Sequence, residues 1–316
     1  MEVQKLPKGE TIRLFSRPPD GFRPIEADDR ELRLYGFPRR PTENPELLKR
    51  WQRTFDRKLQ VIRPVFRTMA YRRRRRPGVE PFKFGHEPYE SLIWSGGIVS
   101  PQPGSTMRWV SGEWTVPNVY LPSNATSFVW YSASSWIGID GYHGSVDCLQ
   151  AGVDSDVIGG EPFGGAIRLL SPWWEWFPGD THWISNFPVS QGDTMSCVIC
   201  VDPGSAVAAE IYLMNLTNGA HTSFAVTAPK EWSLAGDSAE WIVEALALDT
   251  YEPALASYGS VYFDGCIASD SNQNLIQVGD GNPMNMTDFN GNLISRGDIL
   301  APQLVRCLYE RFPSSA

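Results

Sequence analysis

The chain has 316 residues, 12% of them aromatic, with 28 Gly, 25 Pro and five scattered Cys. That length buries an adequate core as one large domain or two small ones, and no apolar run approaches the ~20 residues that span a bilayer. The net charge of −8 hides an asymmetry: residues 1–85 carry 22 basic and 11 acidic side chains, a balance of +11, against 6 and 25 in residues 86–316, a balance of −19. A basic head on an acidic body implies mutual attraction or an external partner for one of them.

In chain order, the opening MEVQKLPKGETIRLF has no apolar h-region, so no conventional secretory signal is read there. Residues 1–41 are rich in Pro and charge and show little periodicity. Asn44-Pro45-Glu46 reads as a helix start, with a capping Asn, Pro at the first helical position and an acid in the first turn. Leu48, Trp51, Phe55, Leu59 and Ile62 follow at i+3/i+4 spacing, which predicts one amphipathic helix with an Arg/Lys-rich opposite face, stopped by Pro64. YRRRRRPG at 71–78 then reads as a solvated basic linker or a processing site. Nucleic acid is disfavoured, because no interleaved aromatics follow and the acidic body repels phosphate.

From about residue 90 the texture changes to short alternating runs separated by Pro, Gly, Asn and Asp. They are SLIWSGGIVS, MRWVSGEWTVP, SFVWYSASSWIGIDG, CLQAGVD, IRLLSPWWEWFP, TMSCVICVD, EIYLMNLTNG, SAEWIVEAL and GSVYFDGCI. This spacing predicts an all-β antiparallel sandwich or barrel over residues 86–316. Residues 269–300 read as a long Asn/Asp/Gly-rich loop before a last strand near PQLVRCLY. Cys197 and Cys200 have CxxC spacing, but in a strand they face opposite ways, so neither a redox nor a metal site is expected. The four His, at 86, 143, 182 and 221, are far apart and form no HExxH, so no metal or other cofactor is expected.

Side chains alternate along a strand, and four strands divide alike. Trp136, Gly138 and Asp140 share a face, as do Gln150, Gly152 and Asp154; Trp173, Glu175 and Phe177; and Glu240 and Glu244. Behind them stand Ile137 and Ile139, Leu149, Ala151 and Val153, Trp174 and Trp176, and Trp241 and Val243. Side by side, the first faces make a cleft lined with Trp, Asp, Gln and Glu.

WSGGIVS (94–100), VSGEWTVP (110–117), SWIGIDG (135–141), LQAGVD (149–154), WWEWFP (173–178), VSQGD (189–193), NLTNG (215–219) and AEWIVE (239–244) resemble, in order, the motifs of the eqolisins, the acid-acting glutamic peptidases. The resemblance covers roughly residues 90–265. It implies a concanavalin-like double-sheet sandwich with a catalytic Gln–Glu dyad, falling on Gln150 and Glu244, surrounded by Trp136, Asp140, Trp173 and Glu175. It implies a polypeptide substrate, and the chain is expected to act as a monomer. Many eqolisins are secreted with a signal peptide; this chain shows none, and the Cys that these enzymes often have shortly before LQ is placed differently here, with Cys148 two residues before Gln150.

The residue types suit the chemistry. Below pH ~5 a His (~6.5) is protonated and cannot serve as base, whereas Glu (~4.3) exchanges protons. Glu244 is expected to act as general base on water and then as acid toward the leaving nitrogen, with the Gln150 amide donating to the oxyanion. Glu175 and Asp140 tune and fix the dyad; Glu240 lies on the same face outside it. The basic head, residues 1–85, is expected to be a prosegment whose Arg-rich stretch and helix lie across the acidic cleft until acid releases them. The alternatives are a glycoside hydrolase using Glu175 and Glu244, or a carbohydrate-binding module on the same sandwich.

Overall fold

A computed structural model describes residues 3–69, 82–83 (backbone only), 89–142, 145–159, 165–245 and 254–310. The predicted runs form strands, and these assemble into two facing sheets. In the first sheet the strands run in the order Phe66–Met69, Thr181–Ile184, Ile167–Phe177, Cys148–Ile158, Ser134–Ile139, Ala239–Glu244, Trp94–Val99 and Asn282–Thr287. Asn282–Thr287 also pairs with Leu293–Ala301, so the ribbon folds over into the second sheet. That sheet continues through Leu304–Tyr309, Ser260–Asp270, Met107–Thr115, Thr194–Val201, Ala208–Asn215, Ala220–Thr227 and Thr11–Leu14.

The core lies between the sheets and is built from the predicted apolar faces. Ile137, Ile139, Leu149, Ala151, Val153, Trp174, Trp176, Trp241 and Val243 from one sheet meet Val110, Cys197, Ile199, Ile211, Leu213, Phe224 and Val226 from the other. Trp241 needs special room: a Cβ at Gly112 would lie 2.7 Å from its Cδ1, and its Nε1 donates to Ser111 O at 2.8 Å. Thus Trp241 and Val243 anchor their strand inward, leaving Glu240, Ile242 and Glu244 on the other face. Cys197 is buried in this core and Cys200 faces the other way, half-exposed.

Three features depart from the sequence-based expectation. The helix that starts at Asn44 spans Pro45–Phe55, with the Asn44 side chain accepting from Glu46 N and Leu47 N. It stops before Leu59 and Ile62 because Asp56 leaves the helical region (φ −85°, ψ 58°) and Arg57 turns back onto Arg53 O and Leu216 O. Gln60–Val61 then runs as a strand parallel to Ala220–Thr227. Leu59 still packs on the helix's cluster, joined by Val61, whereas Ile62 packs against the core between the sheets.

A second helix, Asp29–Tyr35, lies in the stretch without periodicity. Its signals are local: the Asp28/Glu31 capping box at the start and Gly36 at φ 73° at the end, a conformation natural to Gly. The supposed loop at 269–300 contains the strands Leu275–Gln277, Asn282–Thr287 and Leu293–Ala301. Its polar residues belong to two like turns. Asp270 accepts from Asn272 N and Asn274 N, and Asp288 from Asn290 N and Asn292 N. Asx turns of tight hairpins have the same Asn, Asp and Gly composition as an open loop.

The helices do not lie across the cleft. Leu32, Phe37, Trp51 and Phe55 pack with Met214, Phe37 stacks on His221 at 5.0 Å, and Arg50 pairs with Glu113 at 2.9 Å. These partners stand on the second sheet beside the core-facing Leu213 and Phe224, on its outer side. Both sheets therefore separate the helices from the Gln150–Glu244 face. Among the described residues, no helix is long and apolar enough to cross a membrane.

Candidate active site

The strand register orders the cleft face into rows. Trp136 stands opposite Gly152 on one side and Ile242 on the other, and Gly152 stands opposite Trp173. Gln150 lies opposite Glu175 and, through Gly138, in line with Glu240. Glu244 lies opposite Ser134, whose hydroxyl donates to Asp154. Gln150 and Glu244 thus flank the Trp136 strand diagonally, and on a flat sheet their Cα atoms would be about 16 Å apart, from ~4.8 Å between strands and ~3.3 Å per residue.

The Trp136 indole fills the space between them. Its Nε1 donates to Glu244 Oε2 at 2.9 Å. A Cβ on Gly138 would come within 2.8 Å of the ring's Cζ3, at the other end of the indole. The ring therefore runs from the Glu244 carboxylate toward the row of Gln150. Trp94 braces it edge-on, with ring centroids 4.9 Å apart. Glycine at 152 is required beneath it: a Cβ there would lie 2.2 Å from Ser135 O and 2.5 Å from Trp136 Cβ. Gly152→Ala is expected to destabilise the fold by about 1–3 kcal/mol, as overpacking of a rigid site does. Thermal unfolding at fixed pH checks this; an unchanged Tm would mean that the sheet yields there.

The side chains of the site are buried. Gln150 is 5% exposed and Glu244 9%, while Trp136, Trp173, Glu175 and Glu240 are at or below 1%. Gln150 Oε1 is buried without a hydrogen-bond partner among the described residues. Glu175 accepts a hydrogen bond from Thr181 Oγ1. Asp154 accepts from Ser134 Oγ at 2.7 Å. No cluster of three metal-ligating side chains occurs among the described residues.

Asp140 stands apart from the other predicted site residues. It follows the end of the Ser134–Ile139 strand at φ 70°, and its two oxygens accept from Gly236 N (2.9 Å) and Asp237 N (2.7 Å). It braces the segment entering the Glu244 strand rather than joining the rows. Burial raises its carboxyl to about 7, with the charges of Asp237 and Asp147 acting in the same sense and the two backbone donors opposing. Asp147, before the Gln150 strand, is raised to about 6, again chiefly by burial; Trp176 Nε1 donates to it at 3.3 Å.

The structure thus brings Gln150, Glu175, Trp136, Trp173 and Glu244 onto one face and leaves Asp140 at its margin. Thr181 and Ser134 carry no signal in the sequence, because only the register and the turn after Phe177 bring their hydroxyls onto Glu175 and Asp154. The five arginines at 72–76 and His143 lie outside the described residues.

A model of the peptidase A4 family matches residues 92–309. Aspergillopepsin-2 of Aspergillus niger is 30% identical over 198 residues, covering 58% of this chain and 66% of that protein. Scytalidopepsin B of Scytalidium lignicola is 28% identical over 151 residues, covering 48% of this chain and 50% of that protein. The chain therefore aligns with between half and two thirds of these relatives' length. Scytalido-glutamic peptidase, solved with a transition state analog inhibitor, matches with a TM-score of 0.56 at 23% identity, over 69% of this chain and 98% of that one, a likeness of fold. With more than half of its length matched by the family model, the chain belongs to the peptidase A4 (eqolisin) family of glutamic peptidases.

Proposed function

We propose that this protein is an acid-acting endopeptidase that hydrolyses polypeptides with a Gln150–Glu244 dyad. The observation that carries the reading is the placement of Gln150 and Glu244 on one face across Trp136, with the Gln150 amide oxygen buried and unpartnered among the described residues. Glu244 takes a proton from water, and the resulting hydroxide attacks the scissile carbonyl carbon. Gln150 Nε2–H donates to the oxygen that becomes negative, and its Oε1 receives the attacking water. Protonated Glu244 then gives its proton to the leaving nitrogen as the C–N bond breaks. Trp136 Nε1, bonded to Glu244, holds the carboxylate in place. Glu175, fixed by Thr181, supports Gln150 across the strand pair.

The sugar-hydrolase alternative explains less of the site, because that chemistry has no use for Gln150.

The head, residues 1–85, is proposed to keep the enzyme inactive until acid triggers a cut among the arginines at 72–76. Two observations support this. The dyad is nearly inaccessible in the full chain. The strands flanking residues 70–81 also stand on opposite sides of the dyad's sheet: Phe66–Met69 beyond Thr181–Ile184, and Phe82–Lys83 beyond Tyr89–Ser91 and Asn282–Thr287. As pH falls, cleft carboxylates take up protons and their attraction for the basic head weakens.

An acid-shift experiment tests the proposal. Full-length protein is moved from pH 7 to about 3.5, near the carboxylate range, with denatured protein as substrate and Glu244→Gln alongside. Loss of substrate and a cut in the head, in wild type only, is the expected result. Hydrolysis without a cut would leave an enzyme whose head is not a prosegment. Inert wild type with an intact fold would overturn the peptidase reading.

A further inference from the structure

The maturation cut proposed above raises the question of what becomes of the head, which lies outside the family match at 92–309. The described part of the head is built into both sheets. Thr11–Leu14 pairs with Ala220–Thr227, and Ile12 is 1% exposed within the main core. Leu6 belongs to the same core. Phe66–Met69 adds a strand to the dyad's sheet outside Thr181–Ile184.

The head also holds one hairpin from two directions. That hairpin carries Trp173 and Glu175 on one strand and Thr181 on the other, joined by a turn through Pro178 and Gly179. At the turn, Lys8 Nζ donates to Pro178 O at 3.1 Å and pairs with Asp180 at 2.8 Å. The Glu10 side chain is buried and packed against Gly179, where a Cβ would lie 2.3 Å from its Oε1. Along the outer side, Thr68 Oγ1 meets His182 Nδ1 at 3.2 Å, and Val65 N donates to Asn186 Oδ1 at 2.9 Å. Beneath, Phe66 packs on Trp174 and Phe224, joining the head to both sheets.

We infer that residues 3–69 are retained in the mature molecule as a noncovalently bound subunit, and that their grip on the 173–184 hairpin holds Glu175 and Thr181 in place for the active site. The cut opens the chain without releasing the head. Strand pairing and buried apolar side chains, unlike the charge attraction between head and cleft, persist when carboxylates are protonated. Lys8 and Glu10 are positioning residues: they touch the turn, not the substrate.

Full-length protein cut at residues 72–76 by an arginine-specific protease at pH 7 is expected to elute as one species in size exclusion at pH 7 and at about pH 3.5, separating only in denaturant. Elution of the small fragment by itself at either pH overturns the inference. In the uncut chain, Lys8→Ala combined with Glu10→Gln is expected to speed amide exchange in Thr181–Ile184 about tenfold or more, leaving Thr194–Val201 unchanged. Equal exchange in wild type and variant would remove the grip on the hairpin. Neither readout needs hydrolysis. An inert enzyme whose fragments co-elute therefore fails the peptidase reading alone.

Discussion

Glu244→Gln is expected to lower kcat by about 100- to 10,000-fold, the range for a lost general acid–base, while the protein stays folded. The fold should tolerate it because a Gln at 244 still offers an oxygen to Trp136 Nε1, the bond seen at 2.9 Å. Gln150→Ala removes one oxyanion donor and is expected to cost about 100- to 1,000-fold, mostly in kcat, since that hydrogen bond forms only as the oxyanion develops. Glu240→Gln is the decisive control. Glu240 is wholly buried, on the same strand and face as Glu244, and it stands nearer to Gln150 by register. Outside the dyad, its loss should change kcat by less than about tenfold, or 1.4 kcal/mol. The opposite pattern, with Glu240→Gln inert and Glu244→Gln active, would place the base in Gln150's own row.

Stability between pH 4 and 7 is expected to be nearly level, because two pairs of buried groups oppose each other. Asp140 and Asp147 are raised from 3.8 to about 7 and about 6. The folded state therefore binds protons that the unfolded state has lost, and stability falls as pH rises through that window. His182 and His221 are lowered by burial from 6.5 to about 4. Here the unfolded state binds the extra protons, and stability falls as pH drops from 6.5 toward 4. At 1.36 kcal/mol per unit, His221 removes about 3 kcal/mol over its window and Asp140 returns about 4 kcal/mol over its own. His221→Phe should break the balance. The imidazole stacks on Phe37 with both nitrogens unpartnered among the described residues, so a phenyl ring replaces it without losing a hydrogen bond. The variant should gain stability by about 3 kcal/mol at pH 4 relative to pH 7. Urea midpoints across that range measure it. A variant that tracks wild type would show that His221 already titrates normally.

How far the sequence could be read depended on whether a signal was local. Strict alternation in AEWIVE and CLQAGVD assigned inward and outward faces that the core reproduces, since Trp241, Val243, Leu149 and Val153 all lie between the sheets. The same alternation also put Gln150 and Glu244 on one face. It could not give the register, so it did not show that Glu240 aligns with Gln150 or that Thr181 reaches Glu175. Asp140 was placed with the cleft because alternation was carried one residue too far, past the strand's end into a positive-φ turn. The head was the least legible part. Its strands are short; Val3–Lys5 pairs locally with Thr11–Leu14, but the pairings that join residues 3–69 to the body span 112 to 214 positions, and no periodicity within 1–41 announces them. The DSNQN and DFNGN turns were misread for the opposite reason: their polar composition was plain, but it marked hairpins rather than an open loop.

The pairing of Leu14 with Phe224 also bears on how the protein is made. The strand at the chain's beginning leaves the ribosome 210 residues before its partner, a wait of roughly 10–40 s at ~5–20 residues per second. During that wait Ile12, Phe15 and the aromatic residues of the head have no sheet to pack on. The abundance of Pro and charge in residues 1–41 suits this interval, because both discourage premature strand pairing with other chains. The composition that hid the head's strands from a reader of the sequence thus keeps the nascent chain soluble until the body is synthesised.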